Sequence, residues 1–195
     1  MSGPHRRWVV MAMLIGVAAA SFAQDITAAE LRAGDVAGLV VLMRHAEAPG
    51  IGDPAGFRLD DCATQRNLSE DGRQQARRIG ERLRRLGIRK IAVYSSQWCR
   101  CLETARLLGV GAVREMPAIN SFFGRNGERD AQMAELRRFL AGLPAGGPPV
   151  VLVTHQVVVT ALTGVHPASG EAVLLRANST TEPAVIGRLA AGPDR

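Results

Sequence analysis

No paired metal-ligand pattern runs through this chain. Its 195 residues hold only three cysteines and four histidines, and these are scattered, without the short repeated spacings of a zinc site, so no metal is expected. Internal repeats, low-complexity tracts and linkers are also missing, which excludes solenoids and argues against a second domain. Its leading apolar stretch, Trp8 to Ala20, covers 13 residues and is too short for a comfortable transmembrane span. Aromatic residues make up 4% of the chain. None of them interleaves with the densest basic cluster, Arg73, Arg77, Arg78, Arg82, Arg84 and Arg85, and Glu70, Asp71 and Glu81 interrupt it. That composition reads as a solvated helix face, and no nucleic-acid partner is expected.

What is present begins with a leader. His5-Arg6-Arg7 is a short basic segment, the apolar stretch follows, and Ser21-Phe22-Ala23 supplies the small residues of a cleavage site. Residues 1–23 read as a Sec-type secretory signal peptide, which places the protein in the periplasm or outside the cell. The alternative, a retained membrane anchor, suits the flanking residues less well. Residues 24–195 are then one domain with room for a sizeable core. In an oxidising compartment, Cys62, Cys99 and Cys101 allow one disulfide and one free thiol. Cys99 and Cys101 sit too close to pair within a helix, so a bridge from Cys62 to one of them is expected. It would pin the loop around Cys62 near Arg100.

Two apolar runs each end in a histidine: Gly38 to Met43 before Arg44-His45-Ala46-Glu47, and Val150 to Val153 before Thr154-His155. Such β-branched runs read as buried strands. Further strands are expected at Ile91 to Tyr94, Ala112 to Arg114, Ala172 to Leu175 and Ala184 to Leu189. Helices are expected from Ser69 to Gly87, Trp98 to Leu108, Asp130 to Leu143 and Val158 to Leu162, with a short amphipathic segment at Ile26 to Asp35. Two loops stand out, Pro49 to Asn67 and Pro117 to Gly127. This alternation predicts a single three-layer α/β/α domain with a mostly parallel central sheet. Ligands of such sheets collect beyond the carboxyl ends of the strands, where both histidines fall. Arg100 opens its helix, where the backbone N–H groups also favour an anion. Two imidazoles and two guanidiniums, from Arg44 and Arg100, form the inventory of a phosphoryl-transfer site.

Arg44-His45-Ala46-Glu47, Ser95-Ser96 followed by Arg100 and Thr104-Ala105, and Thr154-His155 occur in this order and in these contexts. The pattern resembles the histidine phosphatase superfamily, the phosphoglycerate mutase-like two-histidine enzymes, from about Val40 to Thr163. The resemblance implies that His45 is the nucleophile, forming a phosphohistidine that water hydrolyses. It implies that Arg44 and Arg100 hold the phosphoryl oxygens and that His155 donates to the same oxygens as charge develops. No cofactor is implied.

The general acid is the gap in the pattern. Relatives carry a glutamate in the loop after the third strand, here Ala118 to Gly124, which has no carboxylate; others carry an aspartate where Gln156 stands. Glu47, nearest the nucleophile, is the first candidate, ahead of Glu103, Asp60, Asp61 and Glu171. Gln65, Arg66 and Asn67 are expected either at the site mouth, with Arg66 meeting an anion, or as an ordinary capping segment. His166 is expected to be exposed. The expected activity is hydrolysis of a phosphomonoester or phosphoramidate with a good leaving group. Export favours a small envelope substrate such as a sugar phosphate over the mutase role. Two alternatives remain: a catalytically weak phosphate-binding module of the same fold, and a basic interaction protein using the arginine-rich helix.

Overall fold

The computed structural model describes residues 36–177 and 184–192. The expected signal peptide and the segment from Ile26 to Asp35 lie outside them.

Six strands form one sheet, β1 (Leu39–Arg44), β2 (Ile91–Ser95), β3 (Gly111–Glu115), β4 (Val150–Thr154), β5 (Ala172–Arg176) and β6 (Ala184–Leu189), in the spatial order β3-β2-β4-β1-β5-β6. Pairs β1–β4, β2–β4 and β2–β3 are parallel. β5 runs antiparallel to both β1 and β6, so β5 alone opposes the other strands. The sheet is mostly parallel, as its apolar runs predict.

Four helices cover it: α1 (Glu70–Arg85), α2 (Cys99–Leu108), α3 (Arg129–Ala141) and α4 (Gln156–Thr163). Alternate residues of β1 divide between two cores. Leu39, Val41 and Met43 pack with Ile79 and Leu83 of α1 and Ala105 and Leu108 of α2. Val40 and Leu42 pack with Met133 and Leu136 of α3 and Val159 of α4. This is the period of a strand buried on both faces, and it creates the three layers.

Local chemistry sets the helix ends. Ser69 accepts the Gly72 N–H and caps α1, with Glu70 and Asp71 in its first turn, as its sequence predicts. Gly80 faces α2 so closely that a Cβ there would lie 2.0 Å from the Leu108 carbonyl oxygen. A glycine therefore sets the α1–α2 separation. Two arginines of α1 tie it to its neighbours: Arg73 pairs with Glu103 at 2.6 Å and with Glu70, and Arg84 donates to the Leu108 carbonyl.

Candidate active site

His45 follows β1 directly and His155 follows β4. The two strands are parallel neighbours, with Arg44 in register with Thr154, so both histidines leave the sheet at the same edge. His45 N–H donates to the Thr154 carbonyl, and Ala46 N–H donates to Thr104 Oγ1 of α2. The imidazole centroids lie 5.6 Å apart in an edge-on arrangement.

The hydrogen bonds assign the protons. His45 Nδ1 lies 2.7 Å from the Ala46 carbonyl oxygen, which can only accept, so Nδ1 carries the hydrogen. Nε2 is left with its lone pair facing the cavity, where Arg100 Nε donates to it at 3.2 Å. Burial, and then the Arg100 charge, push the His45 pKa down to about 3. A neutral imidazole with a free Nε2 is the form that can attack phosphorus. His155 is also held well below the ordinary histidine range, by burial, by His45 and by Arg100. Its Nδ1 receives Arg100 Nη2 at 3.4 Å, and its Nε2 meets Ser96 Oγ at 2.8 Å. Ser96 in turn donates to Asn120 Oδ1 at 3.2 Å.

A cavity of about 440 Å³ opens above these groups. Arg44, His45, Arg100 and His155 form its polar end; Ile51, Phe57, Trp98, Phe123 and Val157 form an apolar wall. Arg44 Nη1 donates to the Pro167 carbonyl, while its buried Nε has no hydrogen-bond partner among the described residues. An unanswered buried N–H donor and a guanidinium beside two neutral imidazoles form a place for an anion.

The structure thus brings Arg44, His45, Arg100 and His155 together. It does not bring Glu47 to them. The Glu47 carboxylate accepts the Ser69 hydroxyl at the start of α1, and the residue does not line the cavity. Glu47 is therefore corrected from acid candidate to part of the helix cap. The other candidates are also occupied elsewhere: Glu103 by Arg73, Asp60 and Asp61 by Arg58, and Glu171 by Arg188. Arg66 sits behind the loop, its Nε donating to the Gly52 carbonyl at 2.7 Å and its Nη1 to that of Ala48. Gln65 and Asn67 likewise fasten the loop backbone. His166 is exposed. The start of α2 differs from expectation, because Asn120, Ser96 and Gln65 side chains take the N–H groups of Gln97, Trp98 and Cys99. Arg100 meets the site through its side chain, without the helix terminus.

Sequence reasoning missed Asp53, Trp98 and Ser96. Asp53 forms a buried ion pair with Arg100 at 2.6 Å and accepts the Trp98 indole N–H at 3.0 Å. Trp98 stacks edge-on to His155, with centroids 5.2 Å apart. A disulfide joins Cys62 to Cys99, with Cα atoms 5.7 Å apart, and Cys101 is a free buried thiol whose pKa burial pushes up to about 12. The long loop after β1 is thereby tied to the residue preceding Arg100.

Residues 40–122 match the family model of the histidine phosphatase superfamily, branch 1. That stretch, which carries His45 and Arg100, is similar to the superfamily. Among solved structures, the chain is similar to the protein histidine phosphatase SixA in its tungstate complex. That likeness has 16% identity and a TM-score of 0.56, covering 78% of this chain and 97% of that one. It is also similar to phosphoserine phosphatase of Entamoeba histolytica in complex with 3-phosphoglyceric acid, at 14% identity and TM-score 0.53, covering 78% and 96%. A mycobacterial glucosyl-3-phosphoglycerate phosphatase gives 21% identity and TM-score 0.52, covering 80% and 100%. At these identities the likeness shows the α/β fold alone. No curated protein matches the chain by sequence.

Proposed function

We propose that the protein is an exported, cofactor-independent phosphatase that hydrolyses a phosphomonoester or phosphoramidate through a phosphohistidine on His45. One observation carries the reading: Arg100 Nε meets the unprotonated Nε2 of a neutral His45 at 3.2 Å, beside His155 and Arg44. In the first step the Nε2 lone pair attacks phosphorus, and the bond to the leaving oxygen or nitrogen breaks with its electron pair. Water then attacks the phosphohistidine, the N–P bond breaks, and Nε2 recovers its lone pair as orthophosphate leaves. Arg100 and Arg44 balance the charge on the phosphoryl oxygens. Ser96 Oγ can donate or accept. As it donates to Asn120 Oδ1, it accepts from His155 Nε2–H, which leaves His155 Nδ1 to accept from Arg100.

Among the described residues, Asp53 is the one carboxylate that lines the cavity, and Arg100 holds its pKa below the ordinary range despite burial. An ionised carboxylate cannot protonate a leaving group. The arrangement therefore favours substrates whose leaving group needs little help, such as aryl or acyl phosphates and phosphoramidates. The fold shared with a protein histidine phosphatase supports keeping phosphoramidates in the class. The leader in residues 1–23 and the Cys62–Cys99 disulfide support export, and with it a small envelope substrate, sugar phosphates included. The missing acid also favours a second reading, a phosphate-binding module with little turnover.

Hydrolysis of para-nitrophenyl phosphate by the protein and its His45→Ala variant separates the two. Turnover abolished in the variant is expected. A wild type that is stabilised by orthophosphate but releases no nitrophenol would make the binding module the correct reading.

A further inference from the structure

A guanidinium has two hydrogen-bonding edges, an end formed by Nη1 and Nη2 and a side formed by Nε and Nη2. In Arg100 these edges face different partners. The side edge points at the two imidazoles, Nε to His45 Nε2 at 3.2 Å and Nη2 to His155 Nδ1 at 3.4 Å. The end edge is gripped by Asp53, Nη1 to Oδ1 at 2.6 Å and Nη2 to Oδ2 at 3.1 Å. Both side chains of this pair are buried, at 3% and 8% exposure. Asp53 is itself fixed from two further sides, by the Trp98 indole N–H at 3.0 Å and by the Arg66 backbone N–H at 3.2 Å. Four donors from three residues thus hold one carboxylate in a single orientation.

We propose that Asp53 is the positioning residue for Arg100, holding the end of the guanidinium so that its side edge addresses a phosphoryl group between His45 and His155. Two other roles fit the geometry less well. As a proton donor, Asp53 would have to leave a fork that binds both its oxygens. As an occupant of the phosphate position, it would have to contact the face toward the imidazoles, whereas it binds the edge away from them. Positioning uses every contact as it stands. Asp53 also supplies a negative charge beside Arg44 and Arg66, two cations that would otherwise repel the Arg100 guanidinium from the site. Trp98 joins the two halves of the device, since its N–H fixes Asp53 and its ring packs edge-on against His155.

The proposal rests on the phosphatase reading for its kinetic test but not for its binding test. A double-mutant cycle of Asp53→Asn with Arg100→Lys decides it, because lysine lacks the two-edged fork. With para-nitrophenyl phosphate, Asp53→Asn is expected to lower kcat by about 10- to 100-fold, the scale of a slightly misplaced group. In the Arg100→Lys background the same substitution is expected to change kcat by less than about 3-fold, because the two residues act as one unit. Losses that multiply across the cycle would overturn the proposal, since a merely structural role for Asp53 gives that result. Trp98→Phe, which removes one donor to Asp53, tests the same coupling if Asp53→Asn does not fold; its loss should also shrink in the Arg100→Lys background, and an undiminished loss counts against the proposal. A wild type without turnover defeats the phosphatase reading alone. The cycle is then read in orthophosphate affinity by calorimetry, where coupled losses uphold the positioning role and independent losses defeat it.

Discussion

At the scale of single residues, the site depends on keeping a histidine neutral beside cations. Burial and Arg100 hold His45 at a pKa of about 3, so protonation should not silence the nucleophile across the mildly acidic range. The acid limb of kcat/KM, corrected for the ionisation of the ester itself, is expected well below pH 6.5. A limb at 6.5 that survives the correction would mean that His45 titrates as an ordinary exposed imidazole. Glu47 makes the contrasting case. Its carboxylate accepts from Ser69, which also caps α1 through Gly72 N–H. Glu47→Gln should therefore leave kcat within about 3-fold and cost about 1 kcal/mol in urea unfolding, the scale of a cap contact. A drop of about 100-fold or more in kcat, on the scale of a lost general acid, would return Glu47 to the chemistry. The two residues also show what is legible in a sequence. His45 and His155 stand out because each ends an apolar run, and strand ends locate a ligand site in such sheets. Asp53 has no such marker: it lies in a Gly/Pro-rich loop, and its importance arises only when folding brings that loop over Arg100, 47 positions further along.

At the scale of elements, strands and helices were readable because apolar periodicity and caps are local, whereas the loops were not, because tertiary partners shape them. α1 follows its Ser69 cap and the Ala76, Ile79, Leu83 spacing almost to the residue, and β2, Ile91–Ser95, extends only one position beyond its apolar run. The segment from Pro49 to Asn67, by contrast, takes its course from Arg66, from Gln65 and from the Cys62–Cys99 bridge. The three cysteines limited the possible pairings without choosing between Cys99 and Cys101; the choice follows from Cys101 facing the buried side of α2. That bridge closes a loop with a sequence separation of 37, which on the chain-entropy account is worth about 3–4 kcal/mol. Cys62→Ser is expected to lower stability by roughly that amount, read as a shift in the urea midpoint. An unchanged midpoint would show that the other loop contacts suffice. The second loop carries Phe123, 59% exposed, whose ring packs near Gly52 and lines the cavity with Ile51. Phe123→Ala should raise KM for an aryl phosphate several-fold and leave kcat nearly unchanged, since the ring belongs to the apolar wall and not to the polar end with His45. A fall in kcat at constant KM would instead place the ring in the transition state.

At the scale of the whole molecule, the site and the fold share one set of protons. His45 and His155 are buried at 2% and 4% exposure and are both held neutral. In the unfolded chain each returns to the ordinary histidine value of about 6.5. Between that value and their folded-state values the unfolded state binds more protons, so stability rises with pH and is lost on acidification. Each histidine contributes a slope of up to about 1.4 kcal/mol per pH unit in that window. The Asp53 carboxyl, held low by Arg100, adds a loss of the same sign, but only at lower pH, below the ordinary carboxylate value. Urea midpoints measured from pH 7 down to pH 4.5 should therefore fall steadily, before most carboxylates begin to titrate. The decisive comparison is His155→Gln, which removes one buried imidazole and keeps a polar side chain. Its stability at pH 7 is expected to be lower, because Ser96 and Arg100 lose their partner, while its slope against pH is expected to be shallower by about one proton. A parallel slope would place the acid sensitivity outside the active site. A shallower slope would mean that the same buried, neutral imidazoles that give the site its nucleophile also set the lower pH limit of the fold.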